Sequence, residues 1–244
     1  MVFAAGLGTR LRPLTDNMPK ALVPVGGTPM LERVITHLIA SGVDEIVVNV
    51  HHFAQQIIDF LRAKDNFGIR IDISDESDLL LDTGGGIRKA RPFLDGNEPF
   101  LIHNADILTD LNIRKMYEFH TTHNADVTLL TADRTTSRYL LFDHDNCLRG
   151  WTNIKTGEVK PEGFVYNPTE FKKTAYGCLQ VVSPSIFREL EKYAGPEKFS
   201  IIPFYLSVCN QLKIVSYQQS DYKWFDIGSH ETLAKAEEWI KTTI

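Results

Sequence analysis

The sequence predicts an α/β fold, a three-layer sandwich in which helices cover both faces of a mixed, mostly parallel sheet. Three observations carry this expectation. Short β-branched runs alternate with segments whose apolar residues recur at helical spacing, which is how strands buried on both faces are written. The 244 residues are 43% hydrophobic and 23% charged, ample for one large α/β domain or two small ones. In the middle of the chain, from 139 to 166, the alternation gives way to short strand-like pieces separated by turns, the signature of antiparallel hairpins.

Taken in order, residues 1–5 are apolar and read as a buried strand that empties into a glycine-bearing, basic loop. So few residues precede that loop that one or two more are expected ahead of Met1. Leu31, Val34, Ile35, Leu38 and Ile39 define a helix over 29–42, closed by Gly42. A β-branched strand spans 45–50, a helix with Ile57, Ile58 and Leu61 on one face spans 53–63, and a strand follows at 69–74. A helix is expected over 87–93 with Thr83 as its N-cap. The three glycines between them, 84–86, then read as a surface that a flat ligand approaches closely. A strand at 99–103 exits at Asn104-Ala105-Asp106, and Asp110 reads as a helix-capping residue ahead of a helix over 113–123. Beyond the strand at 125–131, antiparallel pieces are expected at 139–142, 147–151 and 163–166. A long core strand spans 175–182, Ser183-Pro184 opens a helix, and a further helix and strand occupy 199–210 and 213–217. The last helix, 230–240, follows Ser229 as cap.

Composition excludes several functions. A net charge of −5 with no basic stripe argues against a general nucleic-acid binder. Cys147, Cys178 and Cys209 are odd in number and form no Cys-x-x-Cys pair, so neither a zinc site nor a disulfide framework is indicated. No apolar run approaches the ~18 residues of a membrane span and no signal peptide is present, so the cytoplasm is the expected location and no membrane partner is expected.

The chemistry is concentrated in residues 6–20. Gly6 and Gly8 let the backbone approach a ligand, and successive N–H groups in such a turn attract phosphate oxygens. Arg10 and Arg12 add bidentate donors, Lys20 adds a point charge, and Pro13 and Pro19 stiffen the loop. The P-loop template does not match, and Gly-x-Gly-x-x-Gly fails at Leu11, so a tight strand-to-loop turn is the alternative for the two glycines alone. Asp106, at the exit of a strand, is placed for metal or phosphate chemistry, or for an Asx turn. Trp151 and Asn153 fall among the hairpin pieces, where a half-buried tryptophan is ordinary. His51 and His52, adjacent on an extended chain, face opposite ways and do not form a chelating pair; helix entry or solvent exposure is their expected role.

The whole string Ala4-Ala5-Gly6-x-Gly8-Thr9-Arg10-Leu11-x-Pro13, followed by Pro19-Lys20-x-Leu22-x-Pro24-Val25, resembles the signature of the sugar-1-phosphate nucleotidyltransferases. Leu81-x-Thr83-Gly84-Gly85, Ala105-Asp106, Ala175-x-Gly177 and Trp224-x-Asp226-Ile227-Gly228-Ser229 continue the likeness in the same order, from Ala4 to Trp239. The resemblance implies a Rossmann-like catalytic domain over 1–244, with a nucleotide-binding half at about 1–110, a sugar-binding half at about 111–244, and a hairpin lid over the sugar site. It implies transfer of a nucleotidyl group from a nucleoside triphosphate to a sugar 1-phosphate, with Arg10, Lys20 and Asp106 catalytic and Mg²⁺ held by Asp106 and Asp226. Ala5, Gly6, Gly8, Thr9, Thr83, Gly84, Gly85 and Asn104 would bind the nucleotide, and Gly177, Trp151 and Asn153 the sugar. The Glu-Lys-Pro common in such enzymes is replaced by Glu158-Val159-Lys160-Pro161, where Lys160 either grips the sugar phosphate or only decorates a hairpin. Within the family the chain is most similar to N-acetylmuramate 1-phosphate uridylyltransferases, which favours UTP. A guanylyltransferase for mannose or heptose 1-phosphate, a phosphocholine cytidylyltransferase, and a silent nucleotide-sensing subunit are the rivals. No hexapeptide repeat follows, so no appended β-helix is expected.

Overall fold

The computed structural model describes residues 1–243. In chain order the elements are β1 (Val2–Phe3), β2 (Pro24–Val25), β3 (Thr28–Pro29), α1 (Met30–Ala40), β4 (Glu45–Val50), α2 (Ala54–Ala63), β5 (Arg70–Asp75), α3 (Asp82–Lys89) and α4 (Arg91–Leu94). They continue with β6 (Phe100–Asn104), β7 (Ile107–Thr109), α5 (Ile113–Thr122), β8 (Val127–Ala132), β9 (Arg138–Phe142), β10 (Leu148–Asn153), β11 (Glu158–Lys160) and β12 (Lys172–Val182). The last are α6 (Ile186–Lys192), α7 (Ile201–Val208), β13 (Ile214–Tyr217), β14 (Trp224–Asp226) and α8 (His230–Thr243). These form two compact units from interleaved segments: 1–81, 103–114 and 221–244 make the first, 82–102 and 115–220 the second.

In the first unit β1 lies between β4 and the end of β6, parallel to both, with Val2 opposite Val48 and His103. β5 extends the parallel set beyond β4. Burial on both faces explains why Ile46 to Val50 are buried without alternation. Leu31, Val34, Ile35 and Leu38 turn inward from α1, as their spacing requires. A feature that the local pattern does not announce is the antiparallel pair β7–β14, in which Ile107 faces Asp226 and Thr109 faces Trp224. It delivers the C-terminal stretch to the exit of β6. Asp110 belongs to this pairing rather than to a helix cap: its carboxylate accepts the Lys223 N–H at 2.6 Å. Ser229 does cap α8, exchanging hydrogen bonds with Thr232 through both backbone N–H groups.

In the second unit β12 is the spine. β9 pairs with Lys172–Thr174 and β8 with the rest of the strand, both antiparallel, while β13 runs parallel to β8. β10 and β11 continue the antiparallel ladder beyond β9. The third hairpin strand is therefore β11, not 163–166, because Gly157 at φ 73 lets the chain reverse within a tight turn straight after Asn153. A bulge between Tyr176 and Gln180 carries Cys178 at φ 59. His120, 1% exposed, bridges Thr128 (2.9 Å) and Ser183 (3.0 Å). The Ser183 hydroxyl donates to the Ala125 carbonyl, so His120 Nε2 donates to Ser183 and Nδ1 accepts from Thr128. The α/β class holds: a mixed sheet, parallel from β6 through β1 and β4 to β5, with helices and antiparallel hairpins.

Candidate functional site

The loop after β1 is built from its own side chains. Gly8 adopts φ +66°, and a Cβ there would stand 2.9 Å from Thr15 Cγ2 and 3.0 Å from Lys20 Cβ. The loop closes on this glycine, and the Thr15 hydroxyl donates to the Gly8 carbonyl at 2.8 Å. Leu11, where a dinucleotide fingerprint would carry its third glycine, is fully buried and anchors the turn. Outside support comes from His230 Nε2, which donates to the Arg12 carbonyl, and Gln56 Nε2, which donates to the Asn17 carbonyl. Thr9 and Arg10 are left exposed. At Gly6 a Cβ would meet nothing within 4 Å, so that side of the loop is open to a close-fitting ligand.

The charged groups meet beside this loop. Lys20 Nζ is ion-paired with Asp106 Oδ2, both partly buried. The Ile227 N–H donates to the Asp106 carbonyl at 2.8 Å, which sets Asp226 alongside the turn that bears Asp106. A Cβ on buried Gly228 would lie 2.5 Å from Arg10 Nη2 and 2.7 Å from Asp226 Oδ1, so guanidinium and carboxylate converge on one point. Arg10, Lys20, Asp106 and Asp226, drawn from three separate stretches of sequence, thus lie together in the first unit. Asn104 ends β6 opposite Phe3, and its carbonyl accepts from Nδ1 of the buried His103, whose pKa burial pushes down to about 4.

Glu76 was not legible as a site-forming residue. It is 0% exposed, and its carboxylate accepts from Asn49 Nδ2 at 2.7 Å and from the Leu81 N–H at 3.0 Å. Asn49 Oδ1 in turn accepts the Ala4 N–H, so one buried chain ties the start of the basic loop to the segment ahead of α3. His51 stands at the entry to α2, where its carbonyl accepts the Ala54 N–H, and its Nδ1 also donates to the Glu76 carbonyl. In sequence, Ser74-Asp75-Glu76-Ser77 looks like a solvated loop, and only the charge's position straight after a core strand hinted otherwise.

In the second unit Gly84 and Gly177 also make room for neighbouring side chains. α3 begins at Asp82, so Thr83 lies inside the helix, and its hydroxyl accepts the Ile201 N–H at 2.9 Å instead of capping. Both Gly84 and Gly85 donate to the Phe199 carbonyl. A Cβ on Gly84 would stand 2.2 Å from Phe199 Cε2, so the absent side chain makes room for a phenylalanine ring. Leu130 fills the corresponding space at Gly177, 2.8 Å from a Cβ. Asn153 Oδ1 accepts the Lys155 N–H in the β10–β11 turn, and Lys160 is paired with Glu158 while lying 5.4 Å from the Trp151 ring centroid.

The sequence matches the Nucleotidyl transferase family over residues 1–243. The chain belongs to that family. Among relatives, the N-acetylmuramate alpha-1-phosphate uridylyltransferase of Caulobacter vibrioides is 48% identical over 108 residues, 43% of this chain and 44% of that protein. The mannose-1-phosphate guanyltransferase of Yarrowia lipolytica is 31% identical over 232 residues, 93% of this chain and 60% of that protein. The chain thus spans about half the length of these family relatives. Two solved structures share the family's fold. HddC from Yersinia pseudotuberculosis, complexed with GMP-PN, superposes with a TM-score of 0.73 at 24% identity, over 98% of this chain and 97% of that one. A UDP-glucose pyrophosphorylase complexed with UDP-glucose gives 0.78 at 17% identity, over 100% and 98%. Among the described residues no helix is long and apolar enough to cross a membrane.

Proposed function

We propose that the chain transfers a nucleoside monophosphate from a nucleoside triphosphate to a sugar 1-phosphate, releasing pyrophosphate. The observation that carries this reading is the meeting of Arg10, Lys20, Asp106 and Asp226 beside an open glycine loop. A sugar phosphate oxygen is already ionised, so in-line attack on the α-phosphorus needs no strong base. What the site must supply is alignment and neutralisation of charge. Arg10 presents a bidentate fork to the leaving pyrophosphate, and Lys20 neutralises the reacting phosphates. A subunit that had become a silent sensor would have no need of all four groups.

The donor set also fits a hard divalent cation. Among the described residues no three His, Cys, Asp or Glu side chains cluster tightly enough to hold a metal. A two-carboxylate site suits Mg²⁺, which usually keeps waters and substrate phosphates in its shell. Asp106 and Asp226 would hold it, and a bound Mg²⁺ supplies Lewis-acid polarisation of a phosphate oxygen. Until then Lys20 balances the Asp106 charge.

For the substrates we favour UTP and N-acetylmuramate 1-phosphate, supported by the 48% identity to the Caulobacter vibrioides uridylyltransferase. The Yarrowia lipolytica relative, similar over 93% of the chain, supports GTP and mannose 1-phosphate as the second reading. Pyrophosphate release measured across four nucleoside triphosphates and a panel of sugar 1-phosphates decides between them. Faster turnover of GTP with mannose 1-phosphate overturns the first choice, and no release from any pair overturns the reaction.

A further inference from the structure

We infer that Gly228 is a positioning residue for Arg10, a slot whose missing side chain fixes where the guanidinium stands. It is buried, whereas Arg10 is exposed. A Cβ there would fall 2.5 Å from Arg10 Nη2 and 3.0 Å from Cζ, far inside van der Waals contact. The same point lies 2.7 Å from Asp226 Oδ1, so Gly228 forms the floor on which the cation and the carboxylate converge. Gly228 does not adopt the left-handed conformation that would itself demand glycine, since it is absent from the positive-φ positions. The reason for glycine here is space.

Which atoms yield to a methyl group follows from their tethers. Asp226 ends β14, is paired with Ile107, and has a short side chain. The Arg10 guanidinium ends a long, rotatable chain on an exposed turn, so it moves first and at little cost to the fold. A donor displaced from where charge develops loses most of its catalytic value, commonly ~10²-fold or more when removed outright.

This inference rests on the proposed reaction, so the test has arms that fail separately. Pyrophosphate release is measured with UTP, N-acetylmuramate 1-phosphate and Mg²⁺, or with whichever pair the wild type turns over fastest. Gly228→Ala should lower kcat by about 10-fold or more, with KM for the sugar phosphate little changed. In an Arg10→Ala background the same change should cost less than about 2-fold, because the group it displaces is gone. Arg10→Lys, which lacks the colliding Nη2, should likewise be nearly indifferent to it. Equal losses in all backgrounds would assign the effect to Asp226 or the backbone and overturn the inference. Full activity of Gly228→Ala would overturn it too. If Gly228→Ala folds poorly, Gly228→Ala/Arg10→Ala should recover the wild-type melting temperature, and failure to recover refutes the slot. A crystal structure of Gly228→Ala reads the displacement without any turnover: an unmoved guanidinium sinks the inference even if the wild type proves inactive.

Discussion

Gly84→Ala separates two reasons for the glycine row of α3. Helix propensity alone favours alanine by up to ~1 kcal/mol at a helical glycine. The structure opposes it, since the new methyl would stand 2.2, 2.4 and 2.9 Å from Cε2, Cδ2 and Cζ of Phe199. That ring cannot step aside freely, because Tyr193 packs 5.0 Å from its centroid and the Arg88 guanidinium lies 4.9 Å from it. Overpacking of a filled core generally costs about 1–3 kcal/mol. An approach as close as 2.2 Å belongs in the upper part of that range, about 2–3 kcal/mol, so after the propensity gain the net loss should be about 1–2 kcal/mol. For a chain of this length that lowers the melting temperature by roughly 2–8 °C. Thermal and urea unfolding read it directly, and Gly84→Ala in a Phe199→Leu background should recover most of the loss. Unchanged or raised stability in Gly84→Ala would show that Phe199 does not need the space, and would return the glycine to the role of a ligand platform.

Arg10→Ala should lower kcat by on the order of 10²-fold with Arg10→Lys restoring only part; near-wild-type turnover would reduce Arg10 to a nucleotide-binding group. Glu76→Gln places an amide N–H₂ against one of two donors, Asn49 Nδ2 or the Leu81 N–H, and should destabilise by about 1–3 kcal/mol in urea unfolding; a neutral change would mean the network is dispensable. His120 has its pKa pushed down to about 4, chiefly by burial. Because the folded value is depressed below the free value of ~6.5, the stability it contributes is present above that value and is lost as the pH falls towards 4. Between pH 7 and 5 the wild type should therefore lose about 2 kcal/mol more than His120→Gln, and equal losses would show that His120 protonates freely in the fold.

What the sequence disclosed was whatever is written locally. The α1 face follows from the spacing of Leu31, Val34, Ile35 and Leu38, and β4 from an unbroken run of Ile46, Val47 and Val48. Ser229 was legible as a cap because capping is settled within three residues. The β7–β14 ribbon was not legible, since three-residue strands over a hundred positions apart carry no period long enough to read. Glu76 escaped for the same reason: its partners at 49 and 81 come from either side of β5, and a buried carboxylate looks like a loop acid until its donors are seen.

Glycine shows most clearly where local reading stops. Gly6, Gly8, Gly84, Gly177 and Gly228 all stand in motif-like strings, and in sequence the first four read as backbone that lets a ligand approach. In the fold only Gly6 among these five faces open space. Gly8 admits Thr15 and Lys20, Gly84 admits Phe199, Gly177 admits Leu130, and Gly228 admits Arg10. The first three of those slots hold loop, core and sheet together, so their loss should appear first as stability. Gly228 is different because its occupant is a flexible cation beside a carboxylate, and its loss should appear first as rate. A glycine can therefore control chemistry without touching substrate, by deciding where the group that touches it is able to stand.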